Sequence, residues 1–244
     1  MLYLSYFLLG LLVLGVIAWI FEPRILLVIY SQVLKLFVKN PPFIEDPSID
    51  FPESKLLEEN WLTIREELLS VLARPDDIPK VHELDPAQSN VSDDKSPPWR
   101  AFSFLLYGQW VEKNCALCPK TTALLKQCDN INIAFFSILD GHKSIPRHWG
   151  PYKGVLRYHL ALVVPDDAPC YIINGGQKYQ WKDGEGVLLD DTYYHEVHNE
   201  SSQRRIVLFL DIMRQLPGIL MPISRFLYWL QYHSPRIKKT VGRA

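Results

Sequence analysis

Cysteine is scarce in this chain. Its 244 residues hold four, Cys115, Cys118, Cys128 and Cys170, too few to staple a chain of this length into a disulfide scaffold. Cys115 and Cys118 form a Cys-x-x-Cys, but no second pair stands at metal-ligand spacing. They read as two free thiols at the start of a helix rather than as a zinc site. An excess of either charge is missing as well: 26 Lys and Arg stand against 27 Asp and Glu, and that balance removes the broad basic field a nucleic-acid partner would need. Residues 1–21 lack charge altogether. About 20 apolar residues cross a bilayer as a helix, and neither the basic start nor the small-residue cleavage site of a secretory signal is present. The stretch is predicted as a single-pass N-terminal membrane anchor, against the rival reading of a buried core helix. Residues 25–38 resume the apolar pattern after Glu22-Pro23-Arg24, as a helix lying in the membrane interface. Arg24, Lys35 and Lys39 come after the first span, which places the rest of the chain on the cytoplasmic side.

Beyond residues 1–39 the chain reads as one domain with appendages. Residues 40–52 are a proline-punctuated linker. From Ser54, a plausible N-cap, Leu57, Trp61, Ile64, Leu68 and Leu72 recur at helical spacing and predict an amphipathic helix packed on the domain. Beyond a polar loop ending near Pro98, short apolar strands are expected at 99–107, 131–139, 155–162, 170–174, 177–181, 187–189 and 205–211. Gly175-Gly176 marks a two-residue hairpin. Many short strands separated by turns predict a mainly β fold of jelly-roll type with flanking helices, over residues 53–214. Residues 215–244 are apolar and aromatic, then basic. They read as an amphipathic membrane-surface segment, with a C-terminal helix packed on the barrel as the rival.

The chemistry concentrates between Ser137 and Asp211. Side chains alternate faces along a strand, so Arg157, His159 and Ala161 share one face and Leu156, Tyr158 and Leu160 the other. The same count groups Arg205 with Val207 and Phe209. A cation inside an apolar strand is costly unless it meets an anion, and two such arginines predict an interior that grips carboxylates. His148 and His195, on separate segments, supply imidazoles for a redox metal beside that dicarboxylate pocket. His198 lies three residues after His195 and faces the other way; His142 falls in a turn and is expected in solvent.

These residues carry a resemblance. The run His148-Trp149-Gly150-Pro151 to Arg157-Tyr158-His159, then Asp190-Asp191 to His195-Glu196-Val197, then Arg205, resembles the aspartyl/asparaginyl β-hydroxylase family over about residues 51–214. The family comprises Fe(II)- and 2-oxoglutarate-dependent dioxygenases on a double-stranded β-helix (jelly-roll, cupin-like) fold, and it includes lipid A acyl-chain hydroxylases. The resemblance implies Fe(II), 2-oxoglutarate and O2 as cofactors, with His148 and His195 as metal ligands. It implies that Arg205, helped by the Ser137 hydroxyl, holds the distal carboxylate of 2-oxoglutarate, and that Arg157 and His159 sit beside the cosubstrate and the substrate's polar group. Asp190, Asp191 and Glu196 are candidates to orient the His195 ring. The usual ligand set of such oxygenases adds a carboxylate to two histidines, but the residue two after His148 is Gly150. By the resemblance, family members acting on proteins share this glycine and water fills the gap, whereas the lipid hydroxylases place an aspartate there. Substrate choice stays open: Gly150 and Arg157 favour a protein aspartyl or asparaginyl side chain, and membrane anchorage favours a lipid acyl chain. The competing functions are a non-catalytic jelly-roll binding protein and a zinc hydrolase, the latter without a general base beside either histidine.

Overall fold

The structure, a computed structural model, describes residues 5, 6, 10, 15, 22, 24–73 and 78–243. Its strands are β1 (Phe43–Ile44), β2 (Trp99–Leu106), β3 (Gln109–Trp110), β4 (Ile131–Leu139), β5 (Ser144–His148), β6 (Val155–Val163), β7 (Cys170–Asn174), β8 (Gln177–Gln180), β9 (Gly186–Leu189), β10 (His195–Asn199) and β11 (Arg205–Met213). They form a seven-stranded sheet in the order β1-β9-β6-β11-β4-β2-β3 and a four-stranded sheet in the order β5-β10-β7-β8. From β4 onward the chain switches between the sheets, with β4, β6, β9 and β11 in the larger and β5, the β7–β8 hairpin and β10 in the smaller. All pairings are antiparallel. This alternation is the double-stranded β-helix expected from the sequence.

Strand parity fixes what each face does. Ile206, Leu208, Leu210 and Ile212 of β11, Leu156, Tyr158, Leu160 and Leu162 of β6, and Phe136 and Ile138 of β4 pack into one apolar cluster on the outer face of the large sheet. Helices α2 (Ser54–Glu59), α3 (Trp61–Val71), α5 (Glu112–Leu117) and α6 (Pro119–Leu125) cover that face, with α4 (Val81–Leu84) lying between α3 and β2 in the chain. The residues in between, Val207, Phe209, Ala161, Phe135 and Leu139, pack instead against Ile145, Ile172 and Val197 of the small sheet. Because β11 is buried on both faces, it reads as a near-continuous apolar run, and the arginine at its head is the exception to be explained. Gly175 and Gly176 take φ of 57° and 81°, the left-handed pair that a two-residue hairpin requires.

Several expectations are corrected. The helix predicted from Ser54 breaks at Asn60, whose φ and ψ of −107° and 11° end α2 before α3 begins. Asn60 bonds back to the Leu56 carbonyl through its amide, the local competition with helix typical of asparagine. Ser54 is buried inside the first turn and Glu53 takes the cap position without a side-chain bond. The apolar stripe survives the break, with Leu57, Ile64 and Leu68 all fully buried. The proline-rich stretch after Lys39 is bonded into the domain, since β1 pairs with β9 and the Pro42 carbonyl accepts from Asn174. The single-pass anchor is not supported: among the described residues no helix is long and apolar enough to cross a membrane. Most of residues 1–21, on which that expectation rested, lie outside the described residues, and the sidedness drawn from it loses its basis.

Helix α1 (Arg24–Phe37) and helix α7 (Leu220–Tyr232), continued by α8 (Pro235–Val241), close one end of the barrel. Leu27, Tyr30 and Leu34 of α1 form a third core with Tyr152, Val155, Met213 and Tyr228, and the Tyr30 hydroxyl donates to the Leu220 carbonyl at 2.7 Å. The C-terminal helix is therefore packed on the barrel by one face.

The four cysteines are free and buried. Burial pushes the Cys118 and Cys128 thiols up to about 12 and raises those of Cys115 and Cys170. Since the thiolate is the reactive form, iodoacetamide at neutral pH is expected to label none of the four in the native chain and all four after unfolding. Mass spectrometry checks this, and rapid native labelling of Cys115 or Cys118 would contradict the burial.

Candidate active site

β5 and β10 are neighbours in the small sheet, and their register sets His148 opposite His195. The imidazole centroids lie 4.1 Å apart at 56°. His148 directs Nδ1 to the Pro146 carbonyl at 2.7 Å, and His195 directs Nδ1 to the Tyr193 carbonyl at 3.0 Å. A carbonyl only accepts, so each ring carries its proton on Nδ1 and keeps the Nε2 lone pair for a metal. Neither Asp190, Asp191 nor Glu196 orients His195, as the sequence had suggested; a backbone carbonyl does. Burial, and then the neighbouring His195, bring His148 down to about 4. Burial, and then Arg157, bring His195 to about 4 as well. Both rings are neutral near pH 7, the form a metal binds.

Arg205, Ser137, Arg157 and His159 all project from the large sheet toward these rings, as parity required. Arg205 is 2% exposed, yet its Nε and Nη1 have no partner among the described residues. Its guanidinium lies 4.7 Å from the Trp181 ring centroid, and burial brings it down to about 10. His159 is buried with both ring nitrogens unpartnered, and Trp181 Nε1 is unpartnered too. Ser137 accepts from Trp99 Nε1 at 2.9 Å, which leaves its own hydroxyl hydrogen to donate. A small cavity touches Ser137, His148, His159, His195 and Arg205 together. On its Arg205 side, Nε and Nη1 are donors without an acceptor among the described residues, as a missing anion would leave them.

Arg157 is differently placed. Its Nη2 is ion-paired with Asp191 Oδ2 at 3.0 Å and its Nε donates to Asp211 at 3.1 Å, so its charge is already matched. Asp211 shares the parity of Arg205, Val207 and Phe209, and the β11–β6 register sets it directly opposite Arg157. Asp191 lies against Gly150. A Cβ on Gly150 would fall 2.1 Å from Asp191 Oδ2, so the position two after His148 has no room for any side chain while Asp191 holds its place. No group of three His, Cys, Asp or Glu side chains is set to hold a metal among the described residues.

The loop that delivers His195 is pinned by Asp190. This carboxylate, fully buried, accepts from Lys153 at 2.5 Å, Arg214 at 2.7 Å and the Thr192 hydroxyl at 2.5 Å. Burial pushes its carboxyl up, but Arg214 and Lys153 outweigh burial and hold it below the usual range. Sequence reasoning missed Lys153 and Arg214, because partners so far apart in the chain leave no local pattern. A cavity of about 190 Å³ opens beside His148, walled mainly by Val81, Leu84, Ala101, Leu106, Phe135 and Phe209.

The double-stranded β-helix is a cupin-like scaffold, on which two imidazoles face one another near a buried arginine whose Nε and Nη1 have no partner among the described residues. The aspartyl/asparaginyl beta-hydroxylase family model matches residues 58–215, and the chain belongs to that family, which includes lipid acyl hydroxylases as well as protein hydroxylases. Among its relatives is an ornithine lipid ester-linked acyl 2-hydroxylase of Rhizobium tropici, 33% identical over 205 residues, covering 82% of this chain and 70% of the relative. Another is the aspartyl/asparaginyl beta-hydroxylase of Mus musculus, 30% identical over 164 residues, 65% of this chain but only 21% of the relative. A prolyl-4-hydroxylase structure from Pseudomonas putida overlays with a TM-score of 0.39 at 14% identity, covering 64% of this chain and 88% of that chain.

Proposed function

We propose that the chain is an Fe(II)- and 2-oxoglutarate-dependent dioxygenase that hydroxylates an unactivated C–H of a lipid acyl chain. The observation that carries the cosubstrate assignment is Arg205: a guanidinium buried without an anion is tolerated only where a ligand supplies one. The cosubstrate's distal carboxylate fits it, with the Ser137 hydroxyl as a second donor. His148 and His195 would hold the metal through Nε2. When bound, iron and 2-oxoglutarate supply the oxidising power that acid–base side chains lack. One O2 is consumed; one oxygen atom enters the C–H bond as hydroxyl, the other enters succinate, and carbon dioxide leaves. The protein's share is positional: the Pro146 and Tyr193 carbonyls fix the two rings, Asp190 fixes the loop before His195, and the apolar wall excludes water from the reacting carbon.

Three observations favour an acyl chain over an acidic peptide. Arg157, the cation that would receive a carboxylate side chain, is saturated by Asp191 and Asp211. The cavity beside His148 is apolar over most of its wall, and the Rhizobium tropici relative bears a lipid acyl hydroxylase name. Incubation with iron, 2-oxoglutarate and either dispersed bacterial lipids or aspartate-containing peptides tests the choice. One oxygen gained on an acyl chain per succinate is expected; oxygen gained by peptides alone would reverse the assignment.

The membrane partner takes the form of surface contact. Ile25, Ile29, Val33 and Leu36 form an exposed stripe on α1, and Ile223, Phe226 and Trp229 form another on α7. Residues 24–44 and 212–244 contain no Asp or Glu but include Arg24, Lys35, Lys39, Arg225, Lys238 and Lys239. Apolar stripes with only cationic charge fit an anionic bilayer surface. Cosedimentation with vesicles rich in phosphatidylglycerol, lost in an Ile29→Glu/Phe226→Glu variant and weakened by salt, is the expected result. Equal binding by that variant would refute it.

A further inference from the structure

We infer that the acyl chain reaches the histidine pair sideways, out of a bilayer, along a groove bordered by α1 and residues 87–91. The inference rests on the acyl reading above and adds the way in, from residues which that reading leaves idle. The groove, about 280 Å³, is bounded by Ile25 and Val28 of α1, by Ala87 and Val91, and by Trp149 and Pro151 beside His148. Gln88, His148, Trp149 and Pro151 also line the apolar cavity, so groove and cavity meet at the histidine.

Continuity with the outer surface names the occupant. Ile25 belongs both to the groove and to the exposed α1 stripe, where Ile29, Val33 and Leu36 follow it at helical spacing. The groove therefore begins on the face whose apolar stripe and cationic flanks fit an anionic bilayer. At its inner end stands Trp149, exposed although it directly follows His148 in the chain. An indole suits the boundary between headgroups and hydrocarbon, and exposed apolar surface of this size marks contact with a partner.

The polar residues of the groove fit the same occupant. Arg24 and Glu22 line it, but they pair with each other at 2.8 Å, and Arg24 also reaches Asp85 at 3.6 Å. That second contact ties α1 to the chain just before residue 87. The remaining polar walls, Gln88 and Asn90, are neutral amides. A peptide threaded here would need partners for its backbone groups, whereas a hydrocarbon chain needs only apolar walls. Methylenes drawn through water cost free energy in proportion to the area they expose. A groove that starts at the bilayer face and ends at the cavity avoids that exposure.

The test uses the full chain without iron or 2-oxoglutarate, so that it stands apart from oxygenase activity. The probe is a phosphatidylglycerol vesicle with brominated acyl chains, since bromine quenches tryptophan fluorescence on contact. The part due to Trp149 is the difference between the parent and Trp149→Phe. Quenching at the bilayer surface is separated from quenching in the groove by plugging the groove. Ala87, exposed where it lines the groove, is changed to Cys and capped with a benzyl methanethiosulfonate, which the four buried native thiols do not meet. Bromolipid quenching of Trp149 is expected in the uncapped Ala87→Cys chain, lost on capping and regained when reductant removes the cap, while cosedimentation with the vesicles stays unchanged. No quenching of Trp149, or quenching indifferent to the cap, would overturn the inference. Acyl hydroxylation by a chain with that result would leave the acyl reading standing and sink the entrance alone. Cap-sensitive quenching in a chain that forms no succinate would keep the entrance and sink the oxygenase reading instead.

Discussion

Arg205→Leu is expected to abolish 2-oxoglutarate turnover without loosening the fold. The guanidinium is 2% exposed and unpaired at Nε and Nη1, so in the absence of ligand it is a burden that burial registers by bringing it down to about 10. Replacing an uncompensated buried charge by an apolar side chain is commonly neutral or stabilising. The cosubstrate, by contrast, would lose two charge-assisted hydrogen bonds worth about 1.5–3 kcal/mol each, at least about a hundredfold in affinity. Arg205→Lys keeps the charge but not the fork and should fall between the two. Steady-state kinetics in 2-oxoglutarate together with a thermal melt reads both halves. Retained turnover, or a melting point lowered as far as for a core truncation, would place Arg205 among structural residues.

Gly150 gives the second large effect. The Cβ of Gly150→Ala would stand 2.1, 2.2 and 2.3 Å from Oδ2, Cγ and Oδ1 of Asp191. Asp191 cannot swing aside cheaply, since it is buried and its Oδ2 is ion-paired with Arg157 Nη2 at 3.0 Å. Displacing it leaves Arg157 short of a partner, and breaking a buried pair costs about 3–5 kcal/mol. For a chain of this size that is a fall in melting temperature of roughly 6–20 °C. The paired change Gly150→Asp/Asp191→Ala should restore most of the loss, because it vacates the space and returns a carboxylate to Arg157. A double-mutant cycle measures the coupling; a Gly150→Ala variant as stable as the parent would show that Asp191 does not fill that space.

Much of this was legible from residue spacing. Parity within each strand grouped Arg157 with His159 and Arg205 with Val207 and Phe209, and the resemblance added Ser137; the register of β4, β11 and β6 is what brings them to one interior face. Parity also turned His198 away: His198 stacks on Tyr171 at 5.1 Å. His142 sits exposed in a turn at φ 57°, as its loop setting implied. What was hidden fell into two kinds. The carbonyls of Pro146 and Tyr193 that set the histidine tautomers belong to the backbone and carry no residue signature. The contacts of Lys153 and Arg214 with Asp190 join residues brought together only by the closed barrel. The single-pass anchor loses its support for another reason. It rested on apolar composition over residues 1–21, most of which lie outside the described residues, and no described helix is long and apolar enough to cross a membrane. The helix after it, α1, packs Leu27, Tyr30 and Leu34 against the barrel end.

The most direct trial is ferrous-iron-dependent formation of succinate from 2-oxoglutarate by the purified chain, run beside His148→Ala and His195→Ala. Succinate formed by the parent and by neither variant, and stopped when iron is chelated, is the outcome expected if these two imidazoles hold the metal. Undiminished succinate from either variant, or none from the parent with lipid and peptide substrates both supplied, would contradict it and leave a jelly-roll that binds without oxidising.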